Sequence, residues 1–216
     1  TLAVLLVSCR QDDLPNSMPT AHEGYVALRF SADIPAMQEV VTRSVDPDGG
    51  GVQDMTLFCF DSYGLFTTTV EAKVTPTGNG AGLTGNYEAE VPENTRTVHF
   101  LANQNMSEFK EDKFRNKSEA EVMALLEGSS GRMIYWARFT CDPDNDSKID
   151  AQMADKGNTI KMIRNHAQVS IDNPINGWIE VTGFVAYNTN AFGTVAPYHP
   201  EKGFDFEWPG EDDPFV

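Results

Sequence analysis

The sequence predicts an all-β protein built as an antiparallel β-sandwich, with one short helix inserted among its strands. Three observations carry that reading. Short segments with period-2 alternation or β-branched enrichment recur along most of the chain, turn residues punctuate them, and no series of helical crossovers links them as a parallel sheet would require. At 216 residues and 40% hydrophobic content the chain can furnish a core of its own.

Taken in order, residues 1–8 are apolar or small and end at Cys9, after which Arg10, Gln11, Asp12 and Asp13 turn the chain abruptly polar. Pro15 and Pro19 mark residues 14–20 as a tether without structure of its own. Residues 24–34 alternate Val26, Leu28 and Phe30 with Ala27, Arg29 and Ser31, the pattern of a strand with one buried face. Residues 42–54 carry three consecutive glycines and an Asp-Pro pair and predict an exposed, mobile loop. Residues 55–60 are apolar on both faces, which predicts a central strand covered on each side. Asp61, Ser62, Tyr63 and Gly64 then form a turn.

Residues 67–75 and 85–91 read as two strands of a hairpin with a glycine-rich end, and residues 97–102 as another strand. The single helix spans residues 118–127. Ser118 and Glu121 make a capping box, Val122, Leu125 and Leu126 share a face, and Gly128 supplies a left-handed stop. Further strands are expected at 133–139, 159–172, 178–187 and 204–208. The polar stretch 142–158 is the best domain boundary, dividing an N-terminal domain at 24–157 from a second one at 158–216.

Charge and motifs restrict function. The net charge of -16 repels phosphate backbones, so no nucleic acid partner is expected. No apolar run reaches the length of about 18 residues that a spanning helix needs. His22, His99, His166 and His199 are too far apart for a zinc motif and read as surface or strand residues. There is no Gly-x-Ser-x-Gly elbow, Walker loop or dinucleotide fingerprint, since the glycines at 78, 80 and 82 lie between two strands. Residues 142–150 place Asp142, Asp144, Asp146 and Asp150 in a calcium-loop register, but Ser147 and Met153 stand where such a loop has its glycine and closing glutamate. A solvated acidic turn is the better reading. The aromatic alternations at Phe58 and Phe60 and at Phe204, Phe206 and Trp208 are read as core packing before a ligand platform. Cys59 and Cys141 leave two readings open, a disulfide or two buried thiols, and the thiols are favoured. No catalytic residue, metal or cofactor is expected, and the chain is read as a non-enzyme.

The polarity step at Cys9 resembles the second half of a bacterial lipoprotein signal peptide, with Leu6-Val7-Ser8-Cys9 matching the lipobox. On that reading residues 1–8 are a partial signal peptide and 9–23 the lipidated cysteine and its tether. Residues 10–13 look like the acidic signal that directs Bacteroidetes lipoproteins to the outer face of the outer membrane. Two or three acyl chains on Cys9 would hold the protein firmly on a bilayer.

Several further segments resemble the fimbrillins, the type V pilins of Bacteroidales. They are Val41-Thr42-Arg43-Ser44, Leu57-Phe58-Cys59-Phe60-Asp61-Ser62-Tyr63-Gly64, Val98-His99-Phe100-Leu101-Ala102-Asn103, and residues 160–169. In the last, Gln168 stands in place of the family's usual lysine. The resemblance implies transthyretin-like β-sandwich domains, the second incomplete here because the chain stops at Val216. It also implies export as a lipoprotein to the cell surface, cutting by an arginine-specific protease at Arg43-Ser44, and assembly with other fimbrial subunits by donor-strand exchange, for adhesion. A cut there falls in the loop read as mobile and would free residues 24–34, leaving a groove that another strand could fill. Two other roles stay open: a fimbrial anchor or accessory lipoprotein that keeps its first strand, and a surface lipoprotein that binds a glycan or host protein. Metabolic labelling with a fatty-acid analogue is expected to mark the native protein and to leave a Cys9→Ala variant unlabelled; equal labelling of the two would overturn the anchor.

Overall fold

A computed structural model describes residues 21–33, 52–76, 85–104, 106–107, 109–129, 133–165, 183, 185, 187, 192–199 and 201–204. The loop expected at 42–54 lies outside them up to residue 51, as do the hairpin tip at 77–84, the strand expected at 178–187 apart from three single positions, and all of 204–208 beyond Phe204.

Strand β1 runs Tyr25–Asp33 with strictly alternating burial, which follows from its period-2 sequence. Strands β2, Met55–Phe60, and β3, Phe66–Glu71, flank the turn in which Gly64 takes φ +70°. The Asp61 carboxylate accepts from the backbone N–H groups of Tyr63 and Leu65 in that turn. Strands β4, Lys73–Pro76, and β5, Gly85–Pro92, pair as the expected hairpin. Strand β6, Thr97–Ala102, is buried at every position. A 3-10 turn at Glu111–Lys113 precedes helix α1, Glu119–Ala124, where the capping box of Ser118 and Glu121 forms as expected. Strands β7, Glu127–Ser129, and β8, Tyr135–Thr140, follow. After helix α2, Ile149–Asp155, come strands β9, Thr159–Lys161, β10, Ile163–Arg164, and β11, Phe192–Thr194.

These strands build two facing sheets. The first has the order β4-β5-β1-β9 and the second β10-β8-β6-β2-β3, while β11 and β7 form a small ribbon of their own. Pairing is antiparallel except between β1 and β9, which run parallel. The all-β sandwich read from the sequence is what the chain forms.

Each side of the sandwich is bridged by a segment that changes sheet. The strand expected at 67–75 breaks at Ala72, so that β3 edges the second sheet and β4 the first. The strand expected at 159–172 breaks at Met162 in the same way, with β9 in the first sheet and β10 in the second. Both break residues are buried in the space between the sheets, and their N–H groups remain bonded, Ala72 to the Met55 carbonyl at 2.9 Å and Met162 to the Asp33 carbonyl at 2.8 Å. The two sheets therefore include pairings as far as Arg164.

Two apolar layers result. Between the sheets, Val26, Leu28 and Phe30 of β1 meet Leu57, Phe100 and Tyr135 of the second sheet, with Ile149 and Met153 of α2 filling the margin. Phe30 stacks on Tyr87 at 5.4 Å and meets Phe100 edge-on at 5.0 Å. On the outer face of the second sheet, Phe58, Phe60, Leu101 and Trp136 are covered by Phe114, by Val122, Met123 and Leu126 around α1, and by Val195, Ala196 and Phe204. The first sheet leaves its outer face to water, with Arg29 paired to Glu88 at 3.0 Å.

Some expectations need correction. Helix α1 is shorter than 118–127, and Gly128 does not end it with a left-handed residue. It lies in β7 opposite Gly193, where a Cβ would come within 2.5 Å of the Asn165 amide nitrogen. A second helix, α2, which the sequence reading did not include, occupies part of the polar stretch 142–158. Cys59 and Cys141 are both buried and free. Cys59 lies in β2 and Cys141 just past β8, with β6 between them. Two strand spacings, about 10 Å, exceed the reach of about 7 Å between α-carbons that a disulfide allows.

Phe100→Ala is expected to cost about 3–5 kcal/mol in urea unfolding, as the loss of a fully buried aromatic does. Tyr63→Ala, at a site 86% exposed, should stay within about 0.5 kcal/mol of the parent. Labelling with a thiol reagent under native conditions should spare Cys59 and Cys141, and modify both once the protein is unfolded.

Candidate functional site

Cys9, Arg43 and Ser44 lie outside the described residues. What the structure does define is the strand that precedes Arg43. Strand β1 is internal to its sheet: it pairs with β5 from Tyr25 opposite Pro92 to Ser31 opposite Asn86, and with β9 from Ser31 opposite Thr159 to Asp33 opposite Lys161. Ser31 is the position at which both neighbours meet it. The Ser31 N–H donates to the Asn158 carbonyl at 2.8 Å, and the Ser31 and Thr159 hydroxyls share a hydrogen bond at 3.1 Å. Beside β1 packs α2, whose approach loop is tied to the rest of the sandwich by Lys148 on Glu93 at 2.7 Å and by the Arg96 guanidinium on the Ser147 carbonyl at 2.8 Å.

That approach loop is the acidic stretch with calcium-loop spacing. The Asp142 carboxylate accepts the Asp144 N–H, and the Asn145 side-chain oxygen accepts that of Ser147. The buried Gln152 amide donates to the carbonyls of Asn145 and Ser147 and accepts the Asp142 N–H. The loop is thus closed by an amide of α2. Among the described residues no three carboxylate, histidine or cysteine side chains converge on one point.

A titratable cluster among the described residues lies elsewhere, on the outer face of the second sheet. His99 of β6 is fully buried, and its Nδ1 accepts from the Trp136 indole Nε1–H at 3.1 Å. An indole nitrogen only donates, so Nδ1 carries no proton and the ring's hydrogen sits on Nε2, which meets a Glu119 oxygen at 2.9 Å. Arg138 of β8 closes the group, with Nε at 2.8 Å from one Glu119 oxygen and an Nη at 3.3 Å from the other. Glu119 is the first residue of α1, held there by the cap on Ser118. Burial raises its carboxyl, but hydrogen bonds from His99 and Arg138, reinforced by the arginine charge, outweigh that and bring it down to about 2. Burial pulls the His99 imidazole below the ordinary histidine value, against the raising effect of Glu119.

This histidine-carboxylate pair resembles half of a catalytic triad without its chemistry. The nitrogen that would activate a nucleophile is occupied by an indole, and the ring is sealed beneath Phe204, which meets it edge-on at 4.9 Å. The ring joins Glu119 of α1 and Phe204 to the second sheet. Sequence reasoning placed His99 on a strand and missed its partners. The available signal was a polar residue inside an otherwise apolar strand, with a glutamate set directly after a helix cap.

No family model matches the chain, and no curated protein matches it. Among solved structures, a fimbrial assembly protein from Parabacteroides distasonis ATCC 8503 aligns at 12% identity and a TM-score of 0.34, over 65% of this chain and 54% of its own. A candidate cell adhesion protein from Bacteroides eggerthii DSM 20697 aligns at 10% identity and a TM-score of 0.31, over 62% of this chain and 38% of its own. The chain spans about half or less of the length of these structures.

The Glu119 contribution to stability is present above the ordinary carboxylate value of 4.5 and is lost as pH falls towards about 2. Glu119→Gln should therefore lower stability at pH 7, by about 1–3 kcal/mol for the charged partner left unmatched. Its deficit against the parent should shrink between pH 4.5 and pH 3. Chemical denaturation at the three pH values measures this, and a deficit that is constant or grows would contradict the arrangement.

Proposed function

We propose that this chain is a structural subunit of a cell-surface fimbria, exported as a lipoprotein through Cys9 and assembled by strand exchange after cutting at Arg43-Ser44. The observation that carries the proposal is the setting of β1. It is an interior strand whose Val26, Leu28, Phe30 and Ala32 are buried, and the chain leaves it directly into the segment that holds Arg43. A cut at that bond would sever the covalent link between β1 and the strands it pairs with.

Energetics explain why such a strand stays in place until it is replaced. Val26, Leu28 and Phe30 each stand to lose roughly 1.5–3 kcal/mol of burial if β1 leaves an empty groove. Their sum is comparable with the whole stability of a small domain, about 5–15 kcal/mol. The pairing groups of β5 and β9 would also be exposed, and an unpaired interior edge is a template for a strand from another subunit. The uncut chain is monomeric on this reading, and the cut one accepts a donor.

Limited digestion of the full chain with a trypsin-like protease, followed by mass spectrometry and light scattering, tests it. Preferential cutting after Arg43, with release of β1 and growth of assemblies when a complementary subunit is present, is the expected result, and Arg43→Ala should abolish both. Resistance at Arg43, or cutting without assembly, would assign the chain instead to the anchor or accessory role.

A further inference from the structure

Neither the strand-exchange reading nor the sandwich as such accounts for a buried imidazole with a donor on one nitrogen and a carboxylate on the other. The groups that face it come from every element packed around it: Phe60 from β2, Trp136 and Arg138 from β8, Glu119 from α1, and Phe204 from the segment beyond β11. Of these Glu119 and Arg138 are charged, and they are paired with each other at 2.8 Å. The neutral ring completes a cluster whose charges already cancel.

We infer that the Trp136–His99–Glu119 chain of hydrogen bonds is an acid-sensitive latch that holds α1 and the stretch bearing Val195, Ala196, Tyr198 and Phe204 on the outer face of the second sheet. The reason is geometric. A proton can enter the ring only at Nδ1, the position at which the Trp136 N–H already points from 3.1 Å. Two N–H groups would then face each other without an acceptor, inside a layer that excludes water. Either the indole or the ring must turn. Phe204 rests on both, at 4.9 Å from the ring and 6.3 Å from the indole, and Tyr198 rests on Phe204 at 5.2 Å. Movement of either partner therefore displaces the segment that covers them.

Glu119 pulls in the other direction, since a carboxylate favours an imidazolium. Arg138 shares that carboxylate through both of its oxygens and so reduces its hold on the histidine. Because burial lowers the His99 value, protons enter the folded protein later than they enter a free histidine. The latch is thus closed at neutral pH and weakens as pH falls below the ordinary histidine value of 6.5, while Glu119 remains ionised.

The test uses the full chain and follows the histidine ring resonances and the tryptophan indole N–H signals by NMR from pH 7.5 to pH 4.5, with hydrogen exchange of residues 119–126 and 195–204 read by mass spectrometry. The expected result is one shared step, in which the Trp136 indole signal shifts and both segments lose at least tenfold in protection as His99 titrates. His99→Gln offers the indole an acceptor and Glu119 a donor without titrating, and should lack the step. Trp136→Phe removes the opposing donor and should raise the pH at which His99 titrates. Protection that is independent of pH, an unchanged step in His99→Gln, or a His99 titration that Trp136→Phe leaves in place would each overturn the latch. None of these readouts depends on cutting at Arg43 or on assembly.

Discussion

The second sheet is buried on both faces, and the rest of the molecule is arranged to satisfy that condition. A sheet with two dry faces needs strands that are apolar throughout, and β2 and β6 meet the need with Phe58, Cys59 and Phe60 and with Val98, Phe100, Leu101 and Ala102. It also needs a covering layer on each side. The first sheet supplies one, and Phe114, the apolar side chains around α1, and Val195, Ala196 and Phe204 supply the other. Polar groups trapped in such a sheet have to bring partners with them, because an unmatched one costs about 1–3 kcal/mol. His99 does so through Trp136 and Glu119. At the end of β6, Asn103 adopts φ +63°, and its side chain accepts the Gln53 N–H at 2.8 Å and donates to the Met133 carbonyl at 3.2 Å, so that one residue ends the strand and ties two neighbouring segments to it.

The margins of the sandwich follow from the same condition. An open sheet ends in strands with unpaired backbone groups, which natural proteins cover or interrupt. Here the breaks at Ala72 and Met162 carry the chain from one sheet to the other, so each side is spanned by covalent backbone. The β3 edge receives additional cover. The Glu111 carboxylate accepts the Thr69 N–H at 2.9 Å and the Thr68 hydroxyl, and the Lys117 carbonyl accepts the Phe66 N–H. Those hydrogen bonds hold the Glu111 carboxyl below its ordinary value, the mark of an anion that is well supplied with donors.

Local pattern made part of this legible and tertiary context decided the remainder. Strand β1 was readable because one of its faces is wet, which produces the alternation of Val26, Leu28 and Phe30. Strand β2 was readable as central because both its faces are apolar, and the Ser118-Glu121 box announced α1. The breaks at Ala72 and Met162 were not readable, since neither residue differs locally from strand neighbours; each is set by the sheet that its flanks join. Helix α2 was hidden by composition. Ile149 and Met153 are its only buried apolar side chains among the described residues, and its N-cap, Lys148, makes no side-chain hydrogen bond. For the candidate site, sequence supplied Cys9, Arg43 and Ser44 and a strand to release. The hydrogen-bond partners of His99 come from two separate elements, β8 and α1, and no spacing in one dimension brings them together.

The order of the first sheet also bears on how the molecule reaches its fold. Strand β1 is completed by a parallel neighbour whose hydroxyl contact with it, Ser31 to Thr159, spans 128 positions of chain. Contacts of such separation must meet the entropy of closing a long loop before they return any energy, so they are expected to form late. Strand β1, which precedes the other described strands in the chain, is then among the last to be fully enclosed, and for an interval the nearly finished sandwich presents an open slot to whatever chain is at hand. A protein of this topology has cause to be accompanied while it folds.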